Sequence, residues 1–206
     1  LNMTMGLAMD DAQNENYTLA LEDGKGVSLL SVAIDYQAVE KLLKGEARYG
    51  LSRAEVAPFL GSIDTPMFRF EGKADFSVQA ETYASKAQVD LSGRLAQWQR
   101  LSPTLADFPG IDFEVHFDGG SDQGKHALHA ASFVLKQAGN GNTILSAQLK
   151  TPLDLTGDTD WTSLQGRLAE LAIEQVRLNW FNAMIPAIDL ASGRLNGTLA
   201  LEADQG

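Results

Sequence analysis

His116, His126 and His129 are the chain's only imidazoles. A hairpin turning through Asp118, Gly119 and Gly120 sets His116 and His126 nearly opposite each other on a polar strand face. Two imidazoles so placed, with an Asp or Glu as third ligand, are the donor set of a zinc site. The competing reading is an exposed polar pair that binds nothing. Asp154, Asp158 and Asp160 flank Gly157 somewhat like a calcium loop. They lack its terminal Glu and central Gly, and a solvated turn explains them, as it does Asp118 and Asp122. Asp10 and Asp11 lie in a polar turn, with no apolar neighbours in the sequence to raise a carboxyl pKa. There is no Gly-rich phosphate loop, nucleophile elbow or helical His-Glu-x-x-His. The sequence thus predicts no catalytic residue, no metal site and no cofactor, and it points away from an enzyme.

What remains is the patterning that would position any site. From Phe68, the even positions Phe68, Phe70, Gly72, Ala74, Phe76, Val78 and Ala80 alternate with Arg69, Glu71, Lys73, Asp75, Ser77 and Gln79. After a break at Glu81-Thr82 the phase shifts to Tyr83, Ala87, Val89, Leu91 and Leu95, set against Lys86, Gln88, Asp90, Ser92 and Arg94. Successive side chains in a strand point to opposite faces, so each run is a ribbon with one apolar and one charged face. Each is roughly 40 Å long, well beyond the usual strand of about 5 or 6 residues.

The same pattern recurs along the chain. Leu1, Met3, Met5, Leu7 and Met9 mark a first strand, Tyr17, Leu19 and Leu21 a second, and Val27 to Ile34 a third. Asp35 resembles an N-cap, and the spacing of Val39, Leu42 and Leu43 predicts a helix stopping at Gly45. Ser52 with Glu55 predicts a capped helix ending near Pro58 to Gly61. Gln97 to Phe108 reads as a short helix with a restart at Ser102-Pro103, and Ile111 to Phe117 as a strand. Asp118 to Gly124 is expected to turn, and Lys125 to Gln137 to return. Further strands are expected at Thr143 to Lys150, at Leu153 and Leu155, and from Ile188 to Ala203. Gly157 to Thr162 reads as a turn, and Asn179 to Ile185 as a short helix. Leu164 to Leu178 fits either a helix or a strand with a bulge near Gln175; the strand is the preferred reading.

The sequence has 206 residues, 44% hydrophobic and 21% charged, which suits a globular chain with a real core. A formal net charge of −11 argues against binding nucleic acid through its phosphates and against adsorption on an anionic membrane. There is no cysteine, hence no disulfide or thiolate metal site. No apolar run approaches the roughly 20 residues of a membrane span, and no signal peptide is present. Because Leu1 already lies in a strand pattern, the expectation is a single β-rich segment, 1–206, of a longer protein. Weak repeats fall at 46–118 and 119–206. In them a short apolar helix ends at a proline or glycine, and an Ile-Asp pair then opens a strand: Pro58 with Ile63-Asp64, Pro109 with Ile111-Asp112, and Pro186 with Ile188-Asp189.

The fold class expected is mainly β (α+β): long amphipathic antiparallel strands forming a curved sheet or groove with a few short helices. These helices hold too little apolar surface to cover all the strand faces. An uncovered face of that size is a binding surface or an aggregation hazard. The residues placed on it by alternation are Phe68, Phe70, Phe76, Val78, Val89, Leu91, Phe113, Val115, Phe117, Leu195 and Leu199.

Two stretches carry a resemblance. One is Ser92-Gly93-Arg94-Leu95 followed by Leu101-Ser102-Pro103-Thr104-Leu105 and Phe108-Pro109-Gly110-Ile111-Asp112. The other runs from Leu178-Asn179-Trp180-Phe181 through Ile185-Pro186-Ala187-Ile188-Asp189 to Ser192-Gly193-Arg194-Leu195-Asn196-Gly197-Thr198-Leu199. In its Leu, Gly and Pro pattern the chain resembles the AsmA-like superfamily of Gram-negative envelope proteins, which includes TamB-like proteins. The resemblance implies a periplasmic segment of a protein anchored in the inner membrane. It further implies an apolar β groove for phospholipid or other acyl chains, with envelope proteins as partners, acting in outer-membrane biogenesis. The alternative is a closed β-sandwich or β-solenoid serving adhesion or carbohydrate binding, with its apolar faces sealed.

Overall fold

The structure, a computed structural model, describes residues 1–61, 64–156, 164–182 and 192–203, the Leu60 side chain excepted. The strands are β1 Asn2–Met9, β2 Glu15–Glu22, β3 Ser28–Gln37, β4 Leu42–Ser52, β5 Met67–Gln79, β6 Ala84–Ala96, β7 Ile111–Asp122, β8 Lys125–Gln137, β9 Thr143–Leu149, β10 Leu153–Asp154, β11 Gly166–Arg177 and β12 Arg194–Ala203. All belong to one antiparallel sheet in the order β1-β2-β3-β4-β5-β6-β7-β8-β9-β11-β12, with β10 paired to β8 off that path. The sheet is not closed. A sealed sandwich is therefore not what these strands build: apart from the short β10, each pairs with its neighbour in chain order, and no second sheet covers the first among the described residues.

The long alternating runs fold as their period dictates. β5 and β6 pair without a break from Met67 opposite Ala96 to Gln79 opposite Ala84, through the turn at residues 80–83. Ser52 caps helix α1, Arg53–Leu60, in a full capping box with Glu55, and Gly61 ends it at φ 58°. The helix expected over Gln97 to Phe108 is two 3₁₀ turns, Trp98–Arg100 and Pro103–Leu105, broken at Ser102-Pro103. β11 is a strand, and its ladder slips between Ile173 and Val176, where Gln175 takes φ 51°. Leu178–Phe181 is a 3₁₀ turn. Asp158, Asp160, the turn at 157–162, Ile63 and the Pro186-Ile188-Asp189 copy of the repeat lie outside the described residues.

Two expectations are corrected. Asp35 to Gly45 is not a helix. β3 continues through Asp35, turns at residues 38–41 with Lys41 at φ 47°, and returns as β4. An unbroken ladder from Leu42 opposite Gln79 to Ser52 opposite Arg69 outweighs one turn of helical spacing. Nor does Asp118 to Gly124 form the turn. β7 runs to Asp122, and the reversal is Gln123-Gly124, both at positive φ as a two-residue hairpin requires.

α1 and the 3₁₀ turns all sit in connections β4–β5, β6–β7 and β11–β12, which leave from the same end of the strands. They build one rim. Asp64 accepts from Arg100 Nη1 at 2.7 Å and lies 3.5 Å from Arg53 Nη2, tying the first two connections together. Trp98 packs edge-on against Phe108, whose ring lies 5.9 Å from that of Trp180. The opposite rim has short turns at 10–14, 38–41, 80–83 and 123–124 and the longer connection from β9 to β11.

Only Leu168, Val176 and Trp180 are buried hydrophobics among the described residues, and no large side chain is fully buried. The chain exposes 13405 Å² of surface, whereas a compact monomer of this mass exposes about 9,400 Å². One layer without a facing layer has little core.

Candidate functional site

Directly paired residues in neighbouring strands point to the same face, so the register fixes which side chains share a surface. One row runs from edge to edge with a residue from every strand of the main path: Met3, Leu21, Leu30, Tyr49, Gly72, Leu91, Val115, Phe133, Ala147, Leu171 and Leu199. Beside it lies Met5, Leu19, Val32, Ala47, Ala74, Val89, Phe117 and Ala131. No residue in either row is charged. The shifts in register at Leu21/Glu22, Asp118/Gly119, Leu135/Lys136, Arg167/Ala169 and Ile173/Val176 fall outside the rows' pairings, so apolar stays opposite apolar throughout.

All eleven residues singled out from the sequence fall on this face. Phe68 and Phe70 stack at 5.2 Å, and Phe70 meets Phe113 at 5.8 Å. Phe76 and Val78 continue along β5; Val89, Leu91, Val115 and Phe117 lie in the two rows; Leu195 is opposite Val176 and Leu199 opposite Leu171. Val115, Phe117 and Leu199 share one hollow. With Phe133, Leu149, Leu171 and Leu201 they line a trough of about 700 Å³, although β7 and β12 are four strands apart. The sheet curls to bring them round one hollow. Phe117 and Val78 are exposed despite their neighbours, and Leu199 is 66% exposed.

Glycines shape this face. A Cβ on Gly45 would stand 2.2 Å from the Phe76 ring, one on Gly72 2.3 Å from Tyr49, and one on Gly93 2.5 Å from Phe113 and 2.6 Å from Phe70. Each aromatic ring occupies the space that a side chain on the glycine opposite it would need. Spacing alone missed this; the signal is a glycine on the apolar phase of a strand.

The opposite face is a lattice of ion pairs. Glu46 bridges Arg48 and Lys73, and Lys73 also reaches Asp75 at 2.9 Å. Lys136 Nζ is 2.6 Å from Glu114, and Arg167 joins Glu170 and Glu202. Arg94 holds Asp112 through two hydrogen bonds, of 2.5 and 2.9 Å. That guanidinium keeps the Asp112 carboxyl below the usual carboxylate range. A carboxyl depressed in the folded state stabilises the fold above its unfolded pKa, and the contribution is lost as pH falls through the folded value. The pair is largely exposed, so the effect stays under about 1 kcal/mol. Urea midpoints at pH 7 and pH 3 check it: wild type should lead Arg94→Met at pH 7, and the lead should narrow at pH 3. An equal gap at both pH values refutes the coupling.

The near-opposite placement of His116 and His126 expected from the sequence does not form. His116 pairs with Ser132 and His126 with Ser121, because the hairpin turns five residues later than expected and His129 is the extra residue of a bulge. His116 Nδ1 instead meets Asp90 Oδ1 at 2.7 Å. That contact, with a second from Gln88, holds the Asp90 carboxyl low. Among the described residues no three His, Cys, Asp or Glu side chains cluster to hold a metal ion. Asp154 accepts from the Thr156 N–H. Among those residues, too, no helix is long and apolar enough to cross a membrane.

No protein-family model, no curated protein and no solved structure matches the chain.

Proposed function

We propose that the chain is a periplasmic segment of an AsmA-like, inner-membrane-anchored protein of outer-membrane biogenesis, and that its apolar face carries the acyl chains of phospholipid between membranes. One observation carries this reading: the row from Met3 to Leu199 crosses every strand of the main path without a charge while its side chains remain solvent-accessible. A face this large and continuous is a liability unless something apolar occupies it. Apolar area covered is worth about 25 cal/mol per Å², or about 0.8 kcal/mol per fully buried methylene. Half-burying a sixteen-carbon chain therefore yields on the order of 6 kcal/mol, enough to hold a lipid and little enough to let it move. The ion-paired face keeps the other side hydrated, so lipid has one side to follow.

A photo-crosslinking residue placed at Phe76 or Val89 in cells should capture phospholipid. The same residue at Asp75 or Gln88, which face each other on the charged side, should not. Equal capture on the two faces, or capture only on the charged one, sinks the reading. A hydrophobic dye should also brighten strongly on the folded chain.

A further inference from the structure

The two most exposed large hydrophobic side chains among the described residues sit at neighbouring hairpin tips on the rim opposite α1. Val39, in the β3–β4 turn, is 85% exposed, and Tyr83, in the β5–β6 turn, 79%. Both turns are internal to the sheet, between strands that are paired on either side. Such turns favour Gly, Asn and Asp. Tyr83 instead takes φ 55°, the left-handed region that a bulky side chain avoids. Its ring stands in water, so the fold gains nothing in return, and backbone strain without an internal reward points to a use outside the chain. The tips are also tied together. Asn14 Oδ1 accepts from the Ala38 N–H at 3.1 Å. Gln79 Nε2 donates to the Glu40 carbonyl at 2.6 Å, the Ala80 N–H donates to the Lys41 carbonyl at 3.0 Å, and Lys41 Nζ lies 2.9 Å from Glu81. The turns at 10–14, 38–41 and 80–83 thus form one platform. It is acidic: Asp10, Asp11, Glu40 and Glu81 stand against Lys41 alone, and Glu81 engages that lysine.

We propose that this platform docks a partner protein whose surface offers an apolar cleft, to take Tyr83 and Val39, bordered by Lys and Arg. Tyrosine brings a large, rigid contact area, and a platform fixed in advance loses little freedom on docking. Charge selects the occupant. A second copy would bring the same acids against these, and anionic lipid headgroups would be repelled, whereas a basic border complements them. The platform lies at the strand ends, so the proposal stands whatever occupies the apolar face.

The test places the photo-crosslinker p-benzoylphenylalanine at Tyr83 or at Val39 of the intact protein in cells. Leu101, 59% exposed on the opposite rim, is the control position. Both tip positions should capture the same protein, and Leu101 should not. The crosslinked peptide, sequenced by mass spectrometry, should be apolar with Lys or Arg beside it. Asp11→Lys with Glu40→Lys should cut capture at Tyr83 at least about tenfold. With the probe at Val39, Tyr83→Gly should cut it by about as much. In the isolated 206-residue chain, Tyr83→Gly should keep or raise the urea midpoint, because glycine accepts the positive φ. The proposal is overturned by capture of no protein, of lipid alone or of a second copy, by equal capture at Leu101, by an acidic crosslinked surface, or by capture indifferent to the charge reversal. A lowered urea midpoint also overturns it, since Tyr83 would then serve the fold.

Discussion

Gly93→Val should lower stability by about 3 kcal/mol. A Cβ there meets the rings of Phe113 and Phe70 at 2.5 and 2.6 Å, and valine adds two methyls beyond it. Both rings must move to admit it, which disturbs their own contact at 5.8 Å. Valine's preference for strands works the other way but spans only about 1 kcal/mol. The control is Gly197→Val on the same face of β12, where nothing lies within 4 Å of the added Cβ. There the substitution should be neutral or stabilising. Urea unfolding of both variants decides the matter: matching midpoints would mean that the rings do not lie over Gly93 in solution.

The largest functional effect is expected from Leu199→Asp. Leu199 ends the transverse row and lines the trough with Phe117 and Val115, yet its exposure leaves the fold little to lose. Neighbouring strands stand about 4.8 Å apart, so one residue of the row covers roughly four methylenes. A hydrated carboxylate forfeits that half-buried contact, about 1.6 kcal/mol, or about one order of magnitude in occupancy. Labelling of a photoreactive phospholipid by a probe at Phe117 should fall accordingly. Thr198→Asp, on the other face opposite Ala172, should leave labelling unchanged. Similar losses in both variants would assign the effect to charge in general and remove the groove from the explanation.

Most of the strands were legible because their period of two is strict and their apolar residues are large: Phe68 to Val78, Val89 to Leu95 and Ile111 to Phe117. The bulge at Gln175 could be read where two apolar phases failed to join. β4 was missed for a physical reason. Its apolar phase is Leu43, Gly45, Ala47, Tyr49 and Leu51, and the glycine and alanine contribute almost no hydrophobic signal. Gly45 looked like a helix stop, whereas its role is to make room for the ring of Phe76, a residue from the next strand. Gly119 and Gly120 misled in the same way. Cβ atoms on them would lie 2.8 Å from the Ala127 carbonyl and 2.2 Å from the Ser85 carbonyl, so they admit neighbouring backbone within a strand. The pairing of His116 with Asp90 followed from that hidden register. The candidate site was visible as a set of residues, but its joining into rows depends on how each hairpin is registered, which local sequence does not state.

The strands lie across the row, and this makes the fold a ruler. Measured along the sheet, the row from Met3 to Leu199 takes ten steps of about 4.8 Å, roughly 48 Å in all, against about 30 Å for the hydrocarbon core of a bilayer. Strand length sets the width of the path, and the number of strands sets its reach. Adding or deleting one hairpin changes the reach by roughly 10 Å and leaves the bore unaltered. On the proposed function, such a protein would be matched to a gap by counting hairpins, without redesigning the apolar surface.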